Sequence, residues 1–227
     1  MAKKVIKKQR LRIFPLFIFI IICVLLYFLI KVILAFRIQN IYIIGNNYLN
    51  DEYIISLAAI EDYPSYVKTL TWNLEKKLES DPYIKSSKVT KSFFGVIEIE
   101  IEEREVLFFK EYNKKYVLDN EETLDDVLYD VSVPRVINYV PDLIYASFFE
   151  EFSKLNREVR MKISQIKYSP NEYDDGRFLL YMVDGNYVYA TVSKFDLINY
   201  YNEIYPTLEG KKGTLFLDSG NHFQEFK

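Results

Sequence analysis

The distribution of apolar residues along the chain changes character several times, and each change marks an element. Between Ile13 and Ile30 there is no alternation at all: IFPLFIFIIICVLLYFLI is eighteen residues without a charge. A backbone in a bilayer core has no water to bond, so a spanning segment must be helical. Eighteen helical residues rise about 27 Å, close to the roughly 30 Å of a hydrocarbon core. The apolar run resumes after Lys31 through Val32–Phe36, and a lysine there can extend its stem toward the headgroups. The pattern predicts a transmembrane helix over 13–36. Pro15 falls in its first turn, where a missing N–H costs least.

Beyond the span the apolar period shortens to two. Ile38, Ile41, Ile43 and Ile44 predict a strand over 37–44, closed by the turn chemistry of Gly45-Asn46-Asn47. Asn50 is placed to cap a short helix over 51–59, with Asp51 and Glu52 in the first turn, where the helix dipole favours acids. Val67, Leu70, Leu74 and Leu78 share one face of a second helix, which Ser65 would cap and Pro82 ends. A strand over 84–93 turns at Phe94-Gly95 into the longest strand signal, 96–109. Ile97, Ile99 and Ile101 face one side of it and Glu98, Glu100 and Glu102 the other. Residues 37–107 therefore read β-α-α-β-β. Further on, Pro141 opens a helix with Ala146, Phe149, Phe152 and Leu155 on its apolar side. Asp184-Gly185 joins 178–183 to 187–192 as a hairpin. Ser193-x-x-Asp196 has the spacing of a capping box, and it starts a helix over 194–205 with Phe195, Ile198, Tyr201 and Tyr205 along one side. Gly210–Gly213 turns the chain into a last strand, 214–218.

Charge gives this pattern a direction. The twelve residues ahead of the span carry Lys3, Lys4, Lys7, Lys8, Arg10 and Arg12 and no acid, against Lys31 and Arg37 on the other flank. The positive-inside rule puts 1–12 in the cytoplasm as a basic tail and everything after about Phe36 outside. A cleaved signal would have a shorter apolar region and a small-residue site; Ile33-Leu34-Ala35 is a poor one. Cys23 follows the bulky Ile20–Ile22, where a lipoprotein signal wants small residues, and reads as apolar filler. A basic run beside a span is a topology signal that also favours anionic lipid. The tail holds +6 of an overall −3, so the remainder carries −9. An outer region of about 190 residues is enough for one or two domains, and this one is too acidic to bind nucleic acid or wall polyanions by charge. Cys23 is the only cysteine, so no internal disulfide staples the outer region, which rests on its apolar core.

Candidate chemistry is sparse. Carboxylates crowd 98–105, but alternation puts Glu98, Glu100 and Glu102 on one solvated strand face, an ordinary charge row on a half-buried strand. The single histidine, His222, cannot assemble a zinc site. There is no Walker loop, no G-x-G-x-x-G and no G-x-S-x-G. Ser219-Gly220-Asn221-His222 spells the name of a hydrolase class, but in that class the four residues come from separate blocks of the chain. A nucleophile and its base must also converge with an orienting group. The reading is of no catalytic residue, no cofactor and no metal.

Several strings together carry a family resemblance. Ile41-Tyr42-Ile43-Ile44-Gly45-Asn46 is similar to the opening strand and turn of a POTRA domain. Leu78-Glu79-Ser80-Asp81-Pro82-Tyr83-Ile84, Lys88-Val89-Thr90 and Ile97–Ile101 resemble its later parts. Ile101-Glu102-Glu103-Arg104-Glu105-Val106 resembles the end of such a domain in the FtsQ/DivIB cell-division proteins. Phe93-Phe94 and Glu105-Val106 replace prolines common in that family. Lys115–Asn120, Val133–Val136 and Ser164–Ile166 resemble its subsequent strands. The resemblance implies an α+β protein: an N-terminal transmembrane helix over 13–36, a POTRA domain over 37–107, and over 108–227 a mixed β-domain with flanking helices.

The resemblance also implies a non-enzymatic division-site scaffold. Its partners would be membrane proteins of the FtsL and FtsB/DivIC types and, through them, the septal peptidoglycan synthase. A POTRA protein of secretion or membrane-protein assembly is the alternative. The implied docking place is the C-terminal edge, formed by Tyr200, Tyr201 and Tyr205 with Thr214, Leu215, Phe216, Leu217 and Asp218. A last strand often lies at a sheet edge with unpaired backbone groups. Proline at Phe216 and at Leu217 would then act differently, one breaking the sheet and the other only the docking. The charge bias yields a first prediction: a reporter active only outside the membrane works when fused after Lys227, and a cytosolic reporter active there instead would refute the orientation.

Overall fold

The computed structural model describes residues 13–227; the basic tail read over 1–12 lies outside the described residues. The chain divides into two compact units, one ending at Glu102 and the other starting at Glu103. In the first, α1 (Ile13–Ala35) is one helix of 23 residues, exposed along nearly all its length. It rises roughly 34 Å and is long and apolar enough to cross a membrane. Then come β1 (Asn40–Ile44), α2 (Asp51–Ala58), α3 (Thr71–Leu78), β2 (Ile84–Ser92) and β3 (Val96–Glu103). The strands form a sheet in the order β1-β3-β2, with Ile41 beside Ile97 and Ile43 beside Ile99 in a parallel pair. Alternation buries Ile97, Ile99 and Ile101, and the helices bury Ile54, Ala58, Leu74 and Leu78.

Local chemistry sets the ends of these elements. The Asn50 side chain accepts from Tyr53 N–H at 2.8 Å and caps α2, which Ala59 closes in the left-handed region. Ser65 does not cap α3 as expected. Its hydroxyl donates to the Leu34 carbonyl at 2.7 Å, so it satisfies the end of α1, and α3 starts only at Thr71 with Val67 and Leu70 exposed. The single strand expected over 96–109 is also two strands in two sheets. The interruption is ionic: Arg104 pairs with Asp119 at 3.5 Å, and the Glu105 carboxylate takes Arg160 and, at 3.3 Å, Arg157. The charged run Glu102–Glu105 already interrupts the alternation, and the partners of Arg104 and Glu105 hold the break in place.

The second unit contains β4 (Val106–Lys110), β5 (Lys115–Leu118), β6 (Thr123–Leu124), β7 (Arg135–Val136), α4 (Asp142–Ser153), α5 (Arg157–Arg160), β8 (Ile163–Tyr168), β9 (Arg177–Met182) and β10 (Tyr187–Thr191). A 3₁₀ segment, Val192–Tyr200, leads into α6 (Tyr201–Thr207), followed by β11 (Gly213–Phe216) and β12 (His222–Glu225). All nine strands form one mixed sheet in the order β12-β11-β10-β9-β8-β7-β4-β5-β6. The Asp184-Gly185 hairpin joins β9 and β10, with Tyr187 paired to Tyr181 and Val188 to Leu180.

The core of this unit is aromatic. Phe148 of α4 stacks on Phe178 at 4.7 Å and meets Phe108, Phe152 and Phe195 at 5.4 to 5.8 Å. The buried face of α4 is thus Phe148 and Phe152, while Ala146 is exposed and Phe149 only partly covered. Residues 142–153 offer more than one apolar stripe, and the sheet selects the one carrying the best-placed rings. The α-helix expected over 194–205 is mostly 3₁₀, with Lys194 outside helical geometry and no side-chain cap at its start. Phe195, Ile198 and Tyr201 recur every third residue, the period at which 3₁₀ side chains eclipse, and all three are buried. Pro206 lies inside α6 and not beyond it.

These packing differences predict an order of stabilities. Phe148→Ala lowers unfolding free energy by about 3–5 kcal/mol, the range for deleting a buried aromatic ring, and Phe149→Ala costs less. Urea titration of the detergent-solubilised chain checks it, and a larger loss at Phe149 would restore the face read from the sequence.

Candidate partner-docking edge

Thr214–Asp218 was expected at the sheet edge. It is not there: β11 lies between β10, parallel to it, and β12, antiparallel to it. Both of its sides are occupied. Leu217 N–H donates to Tyr189 O at 2.8 Å, so odd residues of β11 bond toward β10 and even ones toward β12. Proline at Phe216 and at Leu217 would therefore each break a ladder, one on either side. The edge is β12, beyond the point where the β-branched pattern stops.

The predicted residues disperse over different environments. Leu215 and Leu217 are core, at 4% and 3% exposure, and Tyr201 is at 1%. Thr214 and Phe216 are half-buried on the opposite face. Asp218 is held by Arg177 at 2.6 Å, and its carbonyl accepts from Lys194 at 3.1 Å. Tyr205 stacks on Tyr201 at 6.0 Å and is half-buried. Tyr200 is exposed.

Burying Tyr201 creates a polar junction that residue spacing does not reveal. Its hydroxyl donates to Asp184 Oδ2 at 2.7 Å and accepts from Asn186 Nδ2 at 3.1 Å. The Asn186 Oδ1 accepts Gly213 N–H at 3.0 Å. The β9–β10 turn is thereby tied to α6 and to the first residue of β11. Burial, and then the Asp184 carboxylate, push the Tyr201 phenol well above its ordinary pKa. Gly213 is needed for a separate reason: a Cβ there would lie 2.2 Å from Gln224 O and 2.6 Å from the Phe223 ring. β12 approaches too closely for any side chain.

On the sheet face away from the core, the strands build an aromatic surface. Arg177 lies over the Tyr189 ring at 3.5 Å, Tyr189 stacks on Phe216 at 5.4 Å, and Phe216 stacks on His222 at 4.8 Å. Beside this row Tyr187 meets both Tyr181 and Phe226 at 5.1 Å. The signal for this face was the alternation Tyr187-Val188-Tyr189-Ala190. The hydrolase-like string forms the turn into β12. His222 Nδ1 faces Ser219 O at 3.1 Å, and the Ser219 hydroxyl donates to Asp218 at 3.0 Å, so hydroxyl and imidazole are not partnered. Among the described residues no group of three His, Cys, Asp or Glu side chains could hold a metal.

Comparison with known proteins places this geometry. The family model for the FtsQ-type POTRA domain matches residues 36–104, the stretch that builds β1 to β3. The chain is 30% identical over 201 residues to the cell division protein DivIB of Bacillus cereus, covering 83% of this chain and 76% of the relative. The chain belongs to the DivIB family of cell-division proteins. It is 28% identical over 219 residues to DivIB of Bacillus subtilis strain 168, covering 89% of this chain and 82% of that one. A solved structure, the major extracytoplasmic domain of DivIB from Geobacillus stearothermophilus, is similar at 22% identity with a TM-score of 0.38, over 48% of this chain and 96% of that one. The DivIB relationship agrees with the order of apolar helix, POTRA domain and mixed sheet described above.

The polar junction generates a prediction for this DivIB chain. Tyr201→Phe strips Asn186 and Asp184 of a buried partner and destabilises by about 1–3 kcal/mol, read by urea unfolding. The raised phenol pKa fixes the sign of the pH dependence. The contribution of the neutral phenol is present in full below about pH 10, the unfolded value, and declines above it, because the unfolded chain then loses the proton that the native state retains. Equal slopes for the two proteins above pH 10 would contradict it.

Proposed function

We propose that this chain is a non-enzymatic scaffold of the division site, anchored by α1 with its N-terminus in the cytoplasm and its two folded units outside. In this reading the POTRA unit, read over 37–107, and the β-domain, read over 108–227, fold separately. Membrane proteins of the FtsL and FtsB/DivIC types dock on the β-domain and connect it to the septal peptidoglycan synthase. The observation that carries the reading is β12. It is an uncovered edge strand beside a partly exposed aromatic surface. Unpaired edge N–H and C=O groups accept an added strand, and rigid aromatic rings give contact area at low entropy cost. The docking residues shift accordingly from Thr214–Asp218 to His222–Glu225, with Phe216 contributing through its stack on His222.

Backbone parity supplies the test. Phe226 N–H donates to Lys212 O at 2.8 Å, and antiparallel pairs alternate, so Gln224 and His222 donate inward to β11 while Phe223 and Glu225 donate outward. Glu225→Pro removes an outward donor. It leaves the domain folded and lowers capture of the FtsL- or DivIC-type partner roughly tenfold or more, about 1.4 kcal/mol. Gln224→Pro instead frees β12 from β11. Undiminished capture and normal midcell recruitment of folded Glu225→Pro would rule out strand addition here.

A further inference from the structure

The hairpin between β2 and β3 ends in two aromatic rings that bury almost nothing. Phe93 and Phe94 are 89% and 87% exposed. Phe94 sits at φ 63°, ψ 29°, a left-handed conformation that a bulky residue adopts against its steric preference. Neither ring contributes to folding by burial, since an exposed ring stays in water. Strain together with exposure at one tip indicates that the rings are used for something outside the fold.

The position of the tip says what that is. Both residues flanking the phenylalanines are tied to the end of α1. Gln39 N–H donates to Gly95 O at 2.8 Å, and the Tyr66 hydroxyl donates to Ser92 O at 2.7 Å. Tyr66 N–H in turn donates to Phe36 O at 2.9 Å, and Ser65 to Leu34 O at 2.7 Å. A Cβ on Gly95 would lie 3.1 Å from the Phe36 ring, and Phe36 meets Tyr66 edge to face at 6.0 Å. α1 ends at Ala35. The tip is therefore held level with the end of α1, joined to Phe36 through Tyr66 by two hydrogen bonds and to Gln39 by one. Its neighbours are those of a membrane–water boundary: the Lys91 ammonium lies over the Tyr66 ring at 4.6 Å, and Phe36 and Arg37 are exposed. Aromatic and long basic side chains favour that boundary because one end is apolar and the other wet. Asp62 lines a cleft at this same end with Arg37 and Ser65.

We propose that Phe93 and Phe94 insert into the headgroup–acyl boundary of the bilayer that α1 crosses, giving the POTRA unit a second contact with the membrane and fixing its tilt. The proposal rests on α1 being a span, and its test separates the two. The only tryptophan, Trp72, is replaced by Phe, and single tryptophans are introduced by Phe93→Trp, Phe94→Trp, Phe19→Trp and Tyr173→Trp. Exchanging one exposed aromatic for another leaves the fold unloaded, and the two tip variants are independent of each other. Each full chain is reconstituted alone into phosphatidylcholine–phosphatidylglycerol vesicles and quenched by iodide and by lipid brominated near the glycerol end of its chains. A tip ring buried about 5–10 Å below the headgroups loses emission roughly twofold to brominated lipid and resists iodide. Tyr173→Trp, in the other unit, supplies the aqueous reference, and Phe19→Trp, about 9 Å along α1 from its start, the reference within the span. If both tip tryptophans are quenched by iodide as freely as Tyr173→Trp while Phe19→Trp responds to brominated lipid, the insertion is wrong and the span stands. The rings would then await a protein partner absent from the vesicles. If Phe19→Trp ignores brominated lipid, the span itself fails and the insertion with it.

Discussion

The second folded unit depends on one packing constraint, the seating of Phe148 against the sheet. Its ring touches aromatic side chains from β4, β9, its own helix and the 3₁₀ segment. These elements are far apart in sequence and share no disulfide. Interiors are close-packed, and a helix can present only one stripe. Once Phe148 faces inward, the frame of α4 is set, Phe152 follows one turn later, and Ala146 is turned to solvent. The 3₁₀ geometry of 192–200 belongs to the same solution, because a period of three aligns Phe195, Ile198 and Tyr201 on the side this core requires.

That choice places Tyr201 where its hydroxyl has to be satisfied. A buried hydroxyl without a partner is costly, and Asp184 and Asn186 answer it from the hairpin turn. Asn186 then bonds Gly213 and locates the start of β11. With β11 positioned and Gly213 lacking a side chain, β12 can close in and become the edge. The free sheet edge thus follows from the aromatic core through a short chain of hydrogen bonds. Tyr201, expected among the docking residues, is instead an inner link of that chain.

The first unit relies on a different kind of constraint. Its helix-and-sheet core is small, but the hydrogen bonds from Ser65, Tyr66 and Gln39 join the end of α1 to a loop and to the β2–β3 tip. An apolar helix that ended in unsatisfied carbonyls would be poorly capped. Here the following domain supplies the donors, so helix end and domain are built as one junction. DivIB membership gives this junction a setting in cell division, and the exposed rings at the tip give it a surface.

Much of this was legible in the residues themselves. Eighteen uncharged residues, the period of two through Ile97, Ile99 and Ile101, the Asn50 cap and the Asp184-Gly185 turn each rest on local chemistry, so α1, β3, α2 and the β9–β10 hairpin follow from spacing alone. The order of those signals also carried the resemblance to the family. What spacing could not reach were decisions made by distant partners. Glu103-Arg104-Glu105 interrupts the alternation, but that these charges end one sheet and begin another is decided by Arg157, Arg160 and Asp119. His222–Glu225 has one apolar residue and no β-branched one, so nothing local marks it as a strand. It becomes one because β11, already fixed by β10 and Asn186, offers a free ladder, and backbone hydrogen bonds need no particular side chain. For the same reason the candidate edge moved: which strand is last in a sheet is a property of the neighbours it finds, and those are set by tertiary packing.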